Sequence, residues 1–416
     1  MKIAIIGSGI SGLTSAYLLQ KKHDVTLYES AERIGGHTAT VEVQEAGRIL
    51  AIDTGFIVFN DWTYPNFIRL MDEIGVPSRP TEMSFSVSCQ RTGLEYGGNN
   101  LNTLFAQRRN LLNLPYLGML KDILRFNKEA IRDLAAGQLK EDIKLGEYLA
   151  ERGYGKRFAE HYLIPMGSAI WSSTLEEMMD FPLIFFVRFF KNHGLLSVND
   201  RPQWRVIEGG SSAYLQPLVA SFKDKIVLGA DIKQVQRLDN GVMLEFADGN
   251  TEMFDEVVFA CHSDQALALL ADPSRQERDI LSAIPYRNNE VVLHTDTRLL
   301  PKAKLAWSSW NYHLGEEQNK PATLSYNMNI LQHLDSDTTY VVTLNQTQMI
   351  DQNKILGRFN YAHPTFTIEG IDAQGRWSEI NGVNHTWFCG AYWRNGFHED
   401  GCWSGVRVAE GLGVNW

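Results

Sequence analysis

Lys2-Ile3-Ala4-Ile5-Ile6-Gly7-Ser8-Gly9-Ile10-Ser11-Gly12 is the stretch on which the reading of this chain turns. A β-branched apolar run, the mark of a strand buried on both faces, ends on G-x-G-x-x-G. An apolar helical pattern follows through Leu13, Ala16, Tyr17 and Leu19, and a second strand, Val25-Thr26-Leu27-Tyr28, ends at Glu29. Gly7 permits the tight turn, Gly9 lets backbone approach a pyrophosphate, and Gly12 lets helix and strand pack closely. Ser8, Ile10 and Ser11 complete the loop and a helix N-terminus whose N–H groups and positive dipole end suit phosphates. Glu29 would accept hydrogen bonds from a ribose diol and repel a 2′-phosphate, which disfavours NADP. Strand, glycines, helix, strand and acid in this order specify an α/β dinucleotide-binding fold rather than a chance glycine turn.

The next residues separate flavin from nicotinamide. Glu29-Ser30-Ala31-Glu32-Arg33-Ile34-Gly35-Gly36-His37 resembles the E-x-x-x-R-x-G-G-R segment of the flavin amine oxidase superfamily. The resemblance implies FAD, expected to be noncovalent because residues 375–387, ahead of the C-terminal glycine block, hold no cysteine, with Ser30, Arg33, Gly35 and Gly36 near its ribose and pyrophosphate. His37 stands where the superfamily carries arginine. Asp53-Thr54-Gly55-Phe56 resembles the D-x-G segment beside the flavin ring, so Thr54, Gly55 and Phe56 are expected there. Ile226-Val227-Leu228-Gly229-Ala230-Asp231-Ile232 reads as the first strand of a β-meander, and the resemblance implies adenine contacts near Ile232. Phe388-Cys389-Gly390-Ala391 and Gly401-Cys402-Trp403-Ser404-Gly405-Val406 resemble the strand and helix that return to the flavin, which brings Gly390, Trp403 and Val406 to the site.

A narrower resemblance rests on Pro165-Met166-Gly167-Ser168-Ala169-Ile170-Trp171-Ser172, Asn192-His193-Gly194-Leu195-Leu196, Trp307-Ser308-Ser309-Trp310-Asn311-Tyr312 and Gly396-Phe397-His398-Glu399-Asp400-Gly401. These blocks are similar to a bacterial group of FAD-dependent oxidoreductases related to the flavoprotein half of plant cyclopropane fatty acid synthases. That similarity implies a lipid acyl substrate and association with a fatty-acid-modifying methyltransferase.

The expected fold class is α/β: a Rossmann-like FAD-binding domain interleaved with a substrate domain of mixed sheet plus helices. Residues 1–80, 200–265 and 356–416 carry the flavin patterns, and 81–199 with 266–355 form the substrate lobe. In that lobe Asn113–Leu134 reads as a helix with Leu117, Leu120, Leu124, Ile131 and Leu134 on its apolar side. Val291-Val292-Leu293 and Tyr340–Leu344 read as strands. For the aromatic run Phe181–Phe190, two readings stand: core or lobe interface, or an apolar tunnel or membrane-facing entrance.

A net charge of −10 argues against nucleic acid and against simple adhesion to an anionic membrane. Cys89, Cys261, Cys389 and Cys402 lack C-x-x-C spacing, and the histidines lack ligand spacing with nearby acids, so no metal site is expected. Residues 375–387 contain no cysteine to attach a flavin. Gly7-Ser8-Gly9 interrupts the N-terminal apolar run, and Arg188 interrupts the longest other one, so neither an export signal nor a transmembrane helix is read. The corresponding expectation is a cytoplasmic protein with at most peripheral membrane contact.

Glu290 is expected where amine oxidases carry a lysine beside the flavin, and Val406 where they carry an aromatic wall. An aliphatic wall suits hydrocarbon better than amine. The sequence therefore reads as an FAD-dependent oxidoreductase of an apolar, fatty-acyl substrate, by dehydrogenation or double-bond isomerisation, with His193 and Glu399 as candidate proton carriers. An amine or polyamine oxidase and a non-catalytic flavoprotein partner are the rival readings.

Overall fold

Three distant segments of the chain meet in one five-stranded parallel sheet. The computed structural model describes residues 1–140, 142–171, 173–315 and 323–416; Ser172 lies outside them. Lys2–Ile6 is flanked by Asp24–Tyr28 and Glu256–Phe259, with Ile226–Val227 and Thr386–Phe388 at the two edges. Ile3, Ala4, Ile5, Val257, Val258 and Phe259 are fully buried, as a sheet covered on both faces requires.

Five helices frame the site: α1 (Ile10–Leu19), α2 (Pro65–Glu73), α3 (Leu114–Ala135), α4 (Leu183–Asn192) and α5 (His398–Gly411). Helix α1 lies between the sheet and α5, and glycine sets both contacts. A Cβ on Gly12 would fall 1.9 Å from the Gly7 carbonyl oxygen, and one on Gly405 would fall 2.6 Å from that of Ser11. Neither approach admits a side chain.

The middle segment departs from the sequence expectation. Residues 226–232 do not form one strand. The chain turns at Gly229 (φ +62°), leaving Ile226–Val227 in the parallel sheet and starting a separate meander of Ile232–Leu238, Gly241–Phe246 and Thr251–Phe254. Glu256–Phe259 then returns to the parallel sheet beside Lys2–Ile6.

The second lobe, the one expected to hold substrate, is built on a seven-stranded sheet in the order 355–364, 286–294, 341–344, 324–327, 310–314, 85–89, 94–97. Ile355–Pro364 pairs antiparallel with Tyr286–His294 along its length, so the substrate sheet runs past 356 to Pro364. Helices cover this sheet. Trp171 stacks on Phe181 at 4.5 Å and meets Phe189 at 4.9 Å, while Phe186 stacks on Phe190 at 4.0 Å. Phe181, Phe186, Phe189 and Phe190 are buried, the core reading of the run.

Helix α3 turns only part of the expected face inward: Leu120, Ile131 and Leu134 pack against the core. Tyr116, Met119, Phe126 and Ala130 are buried, whereas Leu117 and Leu124 point to solvent. Among the described residues no helix is long and apolar enough to cross a membrane.

Candidate functional site

The glycine loop and Glu29 form one end of the site. Gly7, at φ +108°, donates its N–H to Tyr28 O at 2.8 Å, which locks the turn between strand and helix. Ser8 donates both its N–H (2.9 Å) and its hydroxyl (2.5 Å) to Glu29 Oε2; Ala31 N–H (2.9 Å) and the Ser30 hydroxyl (3.3 Å) donate to Oε1. The acid is thereby held at the strand end, beside the loop. A Cβ on Gly9 would meet nothing within 4 Å, and Gly9 caps α1 without a side-chain bond. Open space at a helix N-terminus with an acid at its rim fits the pyrophosphate and ribose of FAD.

Gly36 packs against Gly9, its Cβ position 3.2 Å from Gly9 Cα, and Gly35 N–H reaches Ser8 O at 3.0 Å. Arg33 braces this second loop: its guanidinium donates to Thr38 O at 3.0 Å, Gly36 O at 2.9 Å and Ile34 O at 3.4 Å. On the adenosine side, Val227 O accepts the Glu29 N–H and Ala230 N–H donates to Glu29 O, both at 2.9 Å, just before Ile232.

The other end is assembled from aromatic and imidazole rings. Gly55 passes so close to His37 that a Cβ would lie 2.0 Å from the His37 carbonyl oxygen, and Phe56 N–H donates to that oxygen. Phe56 stacks flat on His398, centroids 3.6 Å apart. His398 Nε2 lies 2.8 Å from the Tyr214 hydroxyl, which lies 2.6 Å from Thr38 Oγ1. Thr54 Oγ1 is 2.9 Å from the Tyr361 hydroxyl. His37 faces Tyr361, His363 and His262 at 5.2, 5.6 and 6.1 Å. Burial pulls His37 and His398 down to about 3 and His363 to about 4, and lowers His262, so these rings are neutral at pH 7.

Sequence reasoning missed His262 and passed over His363. His363 lies in the seven-stranded sheet and His262 in the loop after the parallel strand Glu256–Phe259, and no local spacing connects them to His37. Among the described residues no three His, Cys, Asp or Glu are placed to hold a metal ion.

Several expected positions differ. Glu290 is exposed; strand alternation turns Asn289 inward instead, where its Nδ2 lies 3.2 Å from His363 Nδ1. Val406 lies two turns into α5 and is 7% exposed, in the core cluster that also holds Ile10 and Leu13. The aromatic at the mouth of α5 is Phe397, which packs against the cores of both lobes and meets Phe189 at 5.4 Å. Trp403 sits between Arg394 and Arg407, with guanidinium carbons 3.5 and 4.8 Å from its ring. Gly390 N–H donates to Ser404 Oγ at 2.8 Å, tying the last strand to α5.

Glu399 is committed to structure. Oε1 accepts from Asn66 Nδ2 at 2.6 Å and Asn66 N–H at 3.3 Å, and Oε2 accepts Phe67 N–H at 2.9 Å. His193 Nδ1 donates to Phe189 O at 2.9 Å, which leaves the lone pair on Nε2, and burial lowers this ring to about 4. Its ring stacks on Phe189 at 3.9 Å and lies 5.7 Å from Phe397. All four cysteines are free; Cys389 sits 3.6 Å from Ser15 Oγ, and Cys402 accepts from Thr14 Oγ1 at 3.7 Å.

The fold recurs among known proteins. The chain is 23% identical over 325 residues to AofH of Mycobacterium tuberculosis, a protein named as a flavin-containing monoamine oxidase. That match covers 74% of this chain, and the chain spans 65% of the relative's length. Putrescine oxidase bound to putrescine superimposes with a TM-score of 0.70 at 16% identity, covering 99% of each chain. A fatty acid isomerase from P. acnes, described as producing CLA, superimposes with a TM-score of 0.68 at 17% identity, covering 98% of each. At such identities these structures speak for the fold alone. The family profile of flavin-containing amine oxidoreductases matches residues 10–347, and this chain belongs to that family.

Proposed function

We propose that this chain is an FAD-dependent oxidoreductase acting on an apolar, fatty-acyl substrate, by dehydrogenation or by shifting a double bond. When bound, FAD supplies hydride acceptance and donation at its N5. The observation that carries the substrate class is the fate of the buried carboxylates around the site. An acid that paired with a cationic amine would need a free oxygen, and each of these acids already accepts hydrogen bonds from the protein. Glu399 caps α2, Asp400 Oδ2 accepts Phe397 N–H at 2.9 Å, and Asp53 is held by Thr40, Ser211 and Gln332. Phe397 and Phe189 give the junction between the lobes an apolar lining, which suits a hydrocarbon chain and excludes water.

In this scheme the neutral imidazoles His37, His262, His363 and His398 add no charge beside the reacting carbon. His193 Nε2 is the candidate proton acceptor, and Glu399 leaves that role. The fatty acid named for the P. acnes isomerase is of the same substrate class. The resemblance to the cyclopropane-synthase flavoprotein group supports a fatty-acid-modifying methyltransferase as functional partner. The rival amine oxidase reading draws on the names of AofH and putrescine oxidase.

Anaerobic mixing of the holoprotein with acyl lipids and with amines separates these readings. The expected result is loss of the oxidised flavin spectrum with an acyl lipid, or a moved double bond in the recovered lipid. Rapid reduction by amines, with every lipid returned unchanged, would overturn the proposal.

A further inference from the structure

The outward face of α3 has no counterpart in the core. Leu114, Leu117, Lys121, Leu124 and Lys128 follow one another at spacings of three and four, which makes a single stripe on the helix surface, and all five are exposed. The turn before the helix extends it: Leu111 is 51% exposed and Leu112 89%, next to Leu114 at 78%. Soluble surfaces seldom carry so many clustered leucines without a partner.

The charge around these leucines is mostly positive. Between residues 101 and 128 stand Arg108, Arg109, Lys121, Arg125 and Lys128 against one acid, Asp122, and that acid is paired with Arg125 at 3.4 Å. Arg109 also lines a cavity of about 280 Å³ with Gln107, Asn113 and Arg157. The chain as a whole carries a net charge of −10. Exposed charges feel one another only over roughly 8–10 Å at physiological salt, so this local excess decides what the face meets.

We infer that the corner formed by residues 101–128 docks on an anionic lipid bilayer. The leucines would sink into the interface while the arginines and lysines meet the phosphates, with the 280 Å³ cavity offering donors to one headgroup. The face lies on the interface without spanning it, since no described helix can cross a membrane. A second copy is the poorer occupant: two-fold pairing of this face would set its cations against themselves. The inference rests on the outer surface of α3 and holds whatever the enzyme oxidises.

Flotation of the FAD-loaded protein with phosphatidylcholine vesicles, with and without phosphatidylglycerol, tests it. Binding is expected to the phosphatidylglycerol vesicles and to weaken as salt is raised. Leu112→Asp with Leu114→Asp should cut that binding by about tenfold or more, and Lys121→Glu with Lys128→Glu should abolish the preference for anionic lipid. All four positions are exposed, so the flavin spectrum and melting temperature should stay at wild-type values. The inference falls if the wild type does not float with either vesicle. It falls equally if the aspartate pair binds as well as wild type, or if that pair only converts a dimer to a monomer in sedimentation.

Discussion

Glu399 Oε2 accepts the backbone N–H of Phe67 at 2.9 Å, so an acid in the first turn of α5 closes the first turn of α2. Helix α2 has no cap of its own: Tyr64 makes no side-chain cap bond, and Pro65 occupies the first helical position. One carboxylate therefore lies at the positive ends of two helices. Glu399→Ala would leave the N–H groups of Asn66 and Phe67 without this acceptor, at a cost of about 1–3 kcal/mol. Melting temperature and flavin retention should drop together. Lost turnover at an unchanged melting temperature would instead return Glu399 to catalysis.

Val406→Tyr should act on packing. The valine is 7% exposed inside the core that α5 shares with α1, and a larger ring there costs about 1–3 kcal/mol of overpacking. Thermal melts of holoprotein should show lower stability and lower flavin content in parallel. Intact flavin content with selectively impaired lipid turnover would place Val406 back over the ring.

Glu29→Ala removes the acceptor that Ser8 and Ala31 hold at the loop. Loss of a charge-assisted contact with the ribose of about 1.5–3 kcal/mol would weaken FAD binding roughly ten- to a hundredfold. Gly12→Ala should be worse, because its Cβ would meet a backbone oxygen at 1.9 Å. Titration of apoprotein with FAD checks both; wild-type affinity in either variant would contradict the assignment of the loop.

Acid should destabilise the protein. Burial lowers His37 and His398 to about 3 and His193, His294 and His363 to about 4. Between about pH 4 and the ordinary imidazole value near 6.5, the unfolded chain binds protons that the folded chain refuses, so stability rises with pH. Asp53 and Asp400, pushed up to about 7 by burial, oppose this by holding protons only when folded. Glu399 is raised by burial too, so five imidazoles stand against three acids. Melting temperature should climb from about pH 4.5 to about 6.5, and Asp400→Asn should steepen the climb by removing an opposing group. A melting temperature that falls across that interval would refute the balance.

The flavin half was legible in sequence because its strands are buried on both faces and its glycines meet backbone directly; Gly7, Gly12 and Glu29 each stand where the motif requires. The face of α3 was only partly legible: Leu120, Ile131 and Leu134 do meet the core, but Leu117 and Leu124 have the same hydropathy whether they meet core or solvent. Period alone cannot tell which apolar stripe is covered when Tyr116, Met119 and Phe126 offer another. The burial of Val406 was not legible either, because the motif fixes residues along α5 but not how closely α1 packs on each turn. The imidazoles at 37, 262 and 363 come together only through pairing of strands far apart in the chain.

The parallel sheet also constrains when the protein can fold. Its central strand, Lys2–Ile6, needs Glu256–Phe259 beside it, and α1 needs α5 across its back. A ribosome therefore releases the glycine loop long before the strands and helix that stabilise it exist. The N-terminal segment must wait through synthesis of almost the whole chain, with its apolar strands exposed, before the nucleotide cleft can close. Supply of FAD should consequently rescue yield only after translation, by trapping the finished fold rather than by nucleating it.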